Sequence, residues 1–139
     1  QTGLEQSVKL HGNVDDVPAH LHRADIYVHA ATYEPFGLVL LEAMAAGLPV
    51  VCLDGGGNRD LIVQGENGFM VGQPSPEQFA EYIKQLATQP ELYRQMAANA
   101  QRFAAGYDIA PYTDRLLQLY RKAVQQRPHN SSKLAVNAL

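Results

Sequence analysis

Short apolar runs alternate with helix-like patterns through the first half of the chain, and this alternation constrains the fold more than any other feature. The apolar runs lie at residues 8–11, 25–30, 49–53 and 68–71, and Gly, Pro, Asn or Asp bounds each of them. Alternation of this kind is typical of parallel β/α units. With 139 residues, 46% of them hydrophobic, the chain can bury the core of one domain. The sequence therefore predicts an α/β domain.

Helix signals separate and follow these runs. Asp15 or Asp16 can cap a first helix that carries Pro18 in its first turn. A second helix is predicted from near Gly37 to residue 46. A short third helix over 59–63 follows the glycine run 55–57, which we expect to form a tight turn near the ligand cleft. Beyond residue 72 the chain turns helical, with a helix capped by Ser75 and two more at about 90–103 and 110–126. We expect one domain over residues 1–127 and a polar, disordered tail over 128–139.

Composition narrows the classes of partner. The net charge is −3 and the 11 basic residues are scattered, so we expect neither nucleic acid nor an anionic membrane as a partner.

The single cysteine, Cys52, lies in an apolar run, which favours a buried thiol, and one cysteine permits no internal disulfide. No signal peptide or transmembrane stretch is visible, so a cytoplasmic location is the default. His20 and His22 are two residues apart and do not share a helix face, so no metal site is expected.

The segment 34–42 (EPFGLVLLE) carries the chemistry, because one carboxylate precedes a helix and a second lies on it. The free N–H groups and the dipole at a helix N-terminus favour a phosphate, and Gly37 lets a ligand approach the backbone. The helix also begins just past the carboxyl end of the run 25–30, where open α/β sheets bind ligands. The pattern predicts an anion site.

The two carboxylates leave alternatives open. The residues around Glu42 are almost all apolar, so the helix is expected to be buried and its carboxylate to need partners. Those partners are either ribose hydroxyls or a structural pair with Arg23, Arg59 or a backbone N–H. Glu34 is either a ligand-binding residue or a carboxylate that the helix dipole favours.

The run 33–51 (YEPFGLVLLEAMAAGLPVV) resembles the E-x7-E region of the family 4 glycosyltransferases, within glycosyl transferases group 1. Segments 8–14, 24–28, 56–62 and 67–71 resemble the same family in the same order, so the resemblance covers residues 8 to about 124. It implies the C-terminal, donor-binding domain of a GT-B enzyme: a Rossmann-like parallel sheet flanked by helices, incomplete here, with a helical C-terminal segment.

The resemblance also implies a set of contacts with a nucleotide diphosphate sugar. They are Glu34 beside the transferred sugar as the catalytic residue, the amides of Phe36, Gly37 and Leu38 on the sugar and diphosphate, Glu42 on the ribose, and Asn13 and Val14 near the nucleobase. The implied enzyme is a retaining glycosyltransferase of hexosyltransferase type that needs no metal or other cofactor. Peripheral association of the full enzyme with a membrane stays open. The alternative function is a non-catalytic accessory subunit that binds a protein partner.

The chain departs from the family pattern in three respects. Ala30 and Ala31 stand where many members have Pro-Ser, which removes a hydroxyl near the phosphates. The resemblance implies that the upstream unit, which supplies a basic pair in the family, and the N-terminal acceptor domain are not part of this chain. In the strand order 3-2-1-4-5-6 the chain would begin at strand 3 and lack strands 1 and 2. We therefore expect the isolated chain to be inactive, and to re-pair its strands or associate with another chain.

Overall fold

The computed structural model describes residues 3–126. The chain divides into two compact units, Gln1–Ala105 and Gly106–Leu139, each of which is described by itself. The predicted tail over 128–139 lies outside the described residues, so the division into a domain over 1–127 and a disordered tail stays a prediction.

A three-stranded parallel sheet forms the centre of the first unit. Its strands are β1 (Tyr27–His29), β2 (Val50–Leu53) and β3 (Gly68–Val71), in the order β1-β2-β3. β2 lies between the other two, and all four of its residues are buried. A strand covered on both faces requires an uninterrupted apolar run, which residues 50–53 provide. The predicted parallel α/β sheet is confirmed.

Helices cover both faces of this sheet. In chain order the helices of the first unit are α1 (Val17–Leu21), α2 (Leu38–Ala45), α3 (Pro76–Thr88) and α4 (Pro90–Ala105). The second unit, described by itself, contains α5 (Ile109–Gln125). The predicted caps are present: the Asp16 carboxylate accepts from the Ala19 amide at 3.0 Å, and the Ser75 hydroxyl accepts from the Gln78 amide at 3.2 Å. Each cap satisfies an amide that has no partner within the helix.

The alternation of side chains along the strands separates two apolar clusters. Val50 and Cys52 of β2 point to one face and pack with α2 and with the end of α4. Val51 points to the opposite face, where Phe69, Leu86 and Met96 join it. Because successive residues of a strand face opposite ways, one short buried strand serves both clusters.

The predicted strand at 8–11 is wrong. These residues form no strand, and Leu10 is 92% exposed. The Val8 amide instead donates to the Leu4 carbonyl at 3.0 Å, in a local turn. A strand needs a neighbour that takes up its backbone hydrogen bonds, and among the described residues no strand lies beside this one.

The predicted helix at 59–63 is also wrong, because a 3₁₀ turn occupies Gly57–Asp60 instead. The side chain of Asn67 explains where this turn ends. Its amide group donates to the Leu61 carbonyl at 2.9 Å and its oxygen accepts from the Val63 amide at 2.8 Å. These contacts replace the backbone bonds that would continue a helix.

In the second unit, α5 matches the predicted helix to within one residue at either end. The Arg115 guanidinium donates to the Gly106 carbonyl at 3.2 Å and to the Pro111 carbonyl at 3.4 Å. Of the helices within residues 3–126, none combines the length and the apolar character that a membrane span requires.

Candidate functional site

The glycine run after β2 holds the loop that carries Glu34. The Glu34 amide donates to the Gly55 carbonyl at 2.6 Å, and the Gly57 amide donates to the Glu34 carbonyl at 2.8 Å. A Cβ atom on Gly57 would lie 2.6 Å from the Pro35 carbonyl oxygen and 2.6 Å from the Phe36 Cα. Only glycine allows this approach of two backbones. The sequence predicted a tight turn near the ligand cleft here, and the structure adds that the turn supports the Glu34 loop.

Gly37 marks the point where this loop becomes α2. Its φ of +97° lies in the left-handed region, and it is the N-cap residue of the helix. A Cβ atom there would lie 2.9 Å from the Leu61 Cδ1 and 3.2 Å from the Asn58 Oδ1. Asn58 is fully buried and donates from its Nδ2 to the Leu53 carbonyl at 2.7 Å. Gly37 is therefore required both by its backbone conformation and by its buried neighbours.

The Glu34 carboxylate turns back onto the start of α2. Its Oε1 accepts from the Gly37 amide at 2.9 Å and from the Phe36 amide at 3.3 Å. Its Oε2 lies 3.5 Å from the Nε2 of His29. A carboxylate at this place satisfies amides at the positive end of the helix dipole. Two of the amides predicted to meet the donor therefore donate to Glu34 in this structure.

Glu42 is exposed, so the prediction that it is buried is wrong. α2 buries the side that carries Leu40, Leu41, Ala43 and Met44. Glu42 lies on the opposite side, one turn after Leu38, which is also exposed. The apolar composition of the helix misled the prediction, because an apolar side chain can stay at the surface.

Among the described residues, Glu42 forms no ion pair with Arg23 or Arg59. Arg59 pairs with Asp54 at 2.6 Å. That hydrogen bond also lowers the pKa of Asp54. The Glu42 carboxylate is therefore available to a ligand from solvent.

The two carboxylates also act on Tyr27 of β1. Burial raises the pKa of Tyr27, and the Glu42 and Glu34 carboxylates raise it further. Glu34 precedes Gly37, the N-cap residue of α2, and lies beside His29 at the carboxyl end of β1, whereas Glu42 lies on the helix one turn after Leu38. Asn13 is exposed and Val14 half-buried in the segment before α1, and the contacts described above do not include them.

Two residues of the site were not predicted from the sequence, His29 and Asn58. His29 could have been found, because Tyr27 and His29 are two apart on a strand and so face the same side. Their rings stack with centroids 6.2 Å apart. The contacts of Gly57 and Asn58 depend on segments that are distant in the sequence.

In the described part of the chain, the other histidines and the cysteine do not form a metal site. Within residues 3–126, no three or more His, Cys, Asp and Glu side chains meet where a metal ion could bind. The rings of His11 and His20 meet edge to face at 4.6 Å. Burial raises the pKa of the Cys52 thiol to about 12, which fits the predicted unreactive buried cysteine.

The sequence model of one protein family, glycosyl transferases group 1, matches residues 1–103. The chain belongs to this family. Among its curated relatives, D-inositol 3-phosphate glycosyltransferase of Rhodococcus erythropolis is 38% identical to this chain over 106 residues. That alignment covers 76% of this chain and 24% of the relative.

Solved glycosyltransferase structures share the fold. HepE of Anabaena, crystallised in complex with UDP-glucose, is 31% identical with a TM-score of 0.80, over 86% of this chain and 34% of HepE. The C-terminal domain of the group 1 protein LpcC from Francisella tularensis is 30% identical with a TM-score of 0.66, over 73% of this chain and 53% of that domain. The sheet and its helices thus match GT-B glycosyltransferases, and the chain spans about a third of the length of HepE.

Proposed function

We propose that this chain is the donor-binding, C-terminal part of a retaining family 4 glycosyltransferase, of hexosyltransferase type, that transfers a sugar from a nucleotide diphosphate sugar. The observation that carries the proposal is the pair of carboxylates, Glu34 and Glu42, on either side of the start of α2. A helix start at the carboxyl end of a parallel sheet favours an anionic ligand. Carboxylates beside it accept hydrogen bonds from sugar hydroxyls.

Each residue has a proposed role in this site. Glu34 is the catalytic residue and contacts the transferred sugar. Glu42 contacts the ribose, and Asn13 and Val14 contact the nucleobase. The amides of Phe36, Gly37 and Leu38 contact the sugar and diphosphate. Because the first two of these amides donate to Glu34, the donor must share or replace that carboxylate as their acceptor. The fixed amide dipoles would stabilise the charge that develops on the departing diphosphate, with no metal required.

UDP-glucose is the first donor to test, because HepE binds it and shares the fold of this chain. The similarity to the C-terminal domain of LpcC supports assigning this chain to the donor side of its enzyme. Acceptor recognition would then belong to the rest of a longer protein, since this chain spans 34% of HepE. We accordingly expect no glycosyl transfer by the chain alone. The cytoplasmic location stays a prediction.

Calorimetric titration with UDP-glucose, GDP and ADP tests the proposal. We expect one nucleotide class to bind, and Glu42→Ala to weaken its binding at least tenfold, because a hydrogen bond to a charged group contributes about 1.5–3 kcal/mol. Glu42 is exposed, so the variant should unfold at the same temperature as the parent chain. Glu66→Ala, another exposed carboxylate, is the matched control. A folded chain that binds no nucleotide, or a Glu42→Ala variant that binds unchanged, contradicts the proposal.

A further inference from the structure

His29 lies at the end of β1 with its imidazole turned toward Glu34. Its side chain is 17% exposed, and the Nε2 atom itself is buried. Within residues 3–126 this nitrogen has no hydrogen-bond partner. The Glu34 Oε2, 3.5 Å away, is the polar atom that the structure sets beside it. Tyr27 covers the imidazole by stacking, with an angle of 15° between the rings.

A buried imidazole nitrogen without a partner is unfavourable, because burial removes its hydrogen bond to water and no protein group replaces that bond. At 3.5 Å, a small approach of the carboxylate would complete a hydrogen bond. The two oxygens of Glu34 are held differently. Oε1 is fixed by the amides of Gly37 and Phe36, whereas the imidazole is the group beside Oε2.

We propose that His29 is a positioning residue, which fixes the orientation of the Glu34 carboxylate and through it the contact with the transferred sugar. This inference rests on the proposed function, because it requires Glu34 to contact the sugar. The imidazole donates from Nε2 to Oε2 and keeps the carboxylate in the site when the donor competes for the amides of Phe36 and Gly37. His29 itself touches Glu34 and not the donor.

The proposal predicts that His29 matters for the sugar and not for the nucleotide. The test measures the affinities for UDP-glucose and for UDP in the parent chain and in His29→Leu and His29→Gln. His22→Leu, a substitution at an exposed histidine, is the control. His29→Leu should weaken UDP-glucose binding about tenfold and leave UDP binding within about twofold, as expected for a lost hydrogen bond to a charged group. His29→Gln keeps an N–H donor and should restore most of the difference. A defect in packing would weaken both ligands alike.

A double-mutant cycle with Glu34→Gln makes the test independent of any loss of stability. If His29 acts through Glu34, the His29→Leu change should have no further effect on UDP-glucose binding once Glu34 is replaced. Additive effects of the two substitutions would overturn the proposal, as would equal losses for UDP and UDP-glucose. If Glu34→Gln or His29→Leu yields no folded chain, His29→Gln alone decides, since it must bind UDP-glucose within about threefold of the parent.

The outcomes separate the two hypotheses. A parent chain that binds neither UDP nor UDP-glucose contradicts the proposed function and removes the basis of this inference. A parent chain that binds both, with a sugar contribution lost in Glu34→Gln but kept in His29→Leu, supports the proposed function and refutes the role of His29.

Discussion

Replacement of Gly57 by alanine tests the close backbone approach on which the Glu34 loop depends. The new Cβ would lie 2.6 Å from the Pro35 carbonyl oxygen and 2.7 Å from the Phe36 nitrogen, whereas ordinary contact begins at 3.4 Å. Both neighbours are backbone atoms, so no side chain can rotate away. The loop must move by roughly 0.8 Å, and overpacking of this kind typically costs about 1–3 kcal/mol.

Urea unfolding followed by circular dichroism measures this cost. We expect the free energy of unfolding of Gly57→Ala to fall by about 2 kcal/mol, with a melting temperature lower by roughly 10 °C. Gly72→Ala is the matched control, because its Cβ would meet nothing within 4 Å and its backbone is not left-handed. That variant should be unchanged or stabilised by up to about 1 kcal/mol.

The same variant connects the packing to the site. A shift of Phe36 displaces the amides that the proposed function assigns to the donor, so Gly57→Ala should also weaken UDP-glucose binding at temperatures where it is folded. If Gly57→Ala is as stable as Gly72→Ala, then the glycine run does not support the Glu34 loop in the way described here.

Two further predictions concern titrating groups. The pKa of Cys52 is raised to about 12, so its thiol should not react with a thiol reagent at pH 8 until the chain unfolds. Because the thiol of the unfolded chain has a pKa near 8.5, the free energy of unfolding should fall as pH rises from about 8.5 toward 12. This fall should be steeper in the parent chain than in Cys52→Ala. Arg59→Gln should raise the pKa of Asp54, measured by carbon NMR, because the hydrogen bond that lowers it is lost. The ion pair of Asp54 with Arg59 stabilises the fold above about pH 4, so the difference in stability between the parent chain and Arg59→Gln should shrink as pH falls below that value. Rapid labelling of native Cys52 would contradict the first prediction, and an unchanged titration of Asp54 would contradict the second.

Local signals predicted the elements whose ends they mark. Ser75 and Pro76 located the start of α3, and Gly47 with Pro49 located the end of α2, since caps and breakers act within a few residues of themselves. The apolar run at 50–53 identified the central strand because burial on both faces needs every residue to be apolar.

Long-range contacts account for the failures. Residues 8–11 have the composition of a strand but no neighbour to pair with among the described residues. Asn67 ends the turn after Gly57 from a position further along the chain. The exposure of Glu42 depends on which side of α2 meets α4, and an apolar helix gives no polar face from which to predict that side.

The sequence alone determined the parallel α/β class, the start of α2 and the two candidate carboxylates, because periodicity, caps and residue types are local properties. Only the tertiary structure decided that the glycine run packs against the Glu34 loop, that Asn58 lies under Gly37, and that His29 faces Glu34. Each of these contacts joins different segments of the chain. Their geometry is set by how the strands align and how closely two backbones approach, which no local pattern of residues encodes.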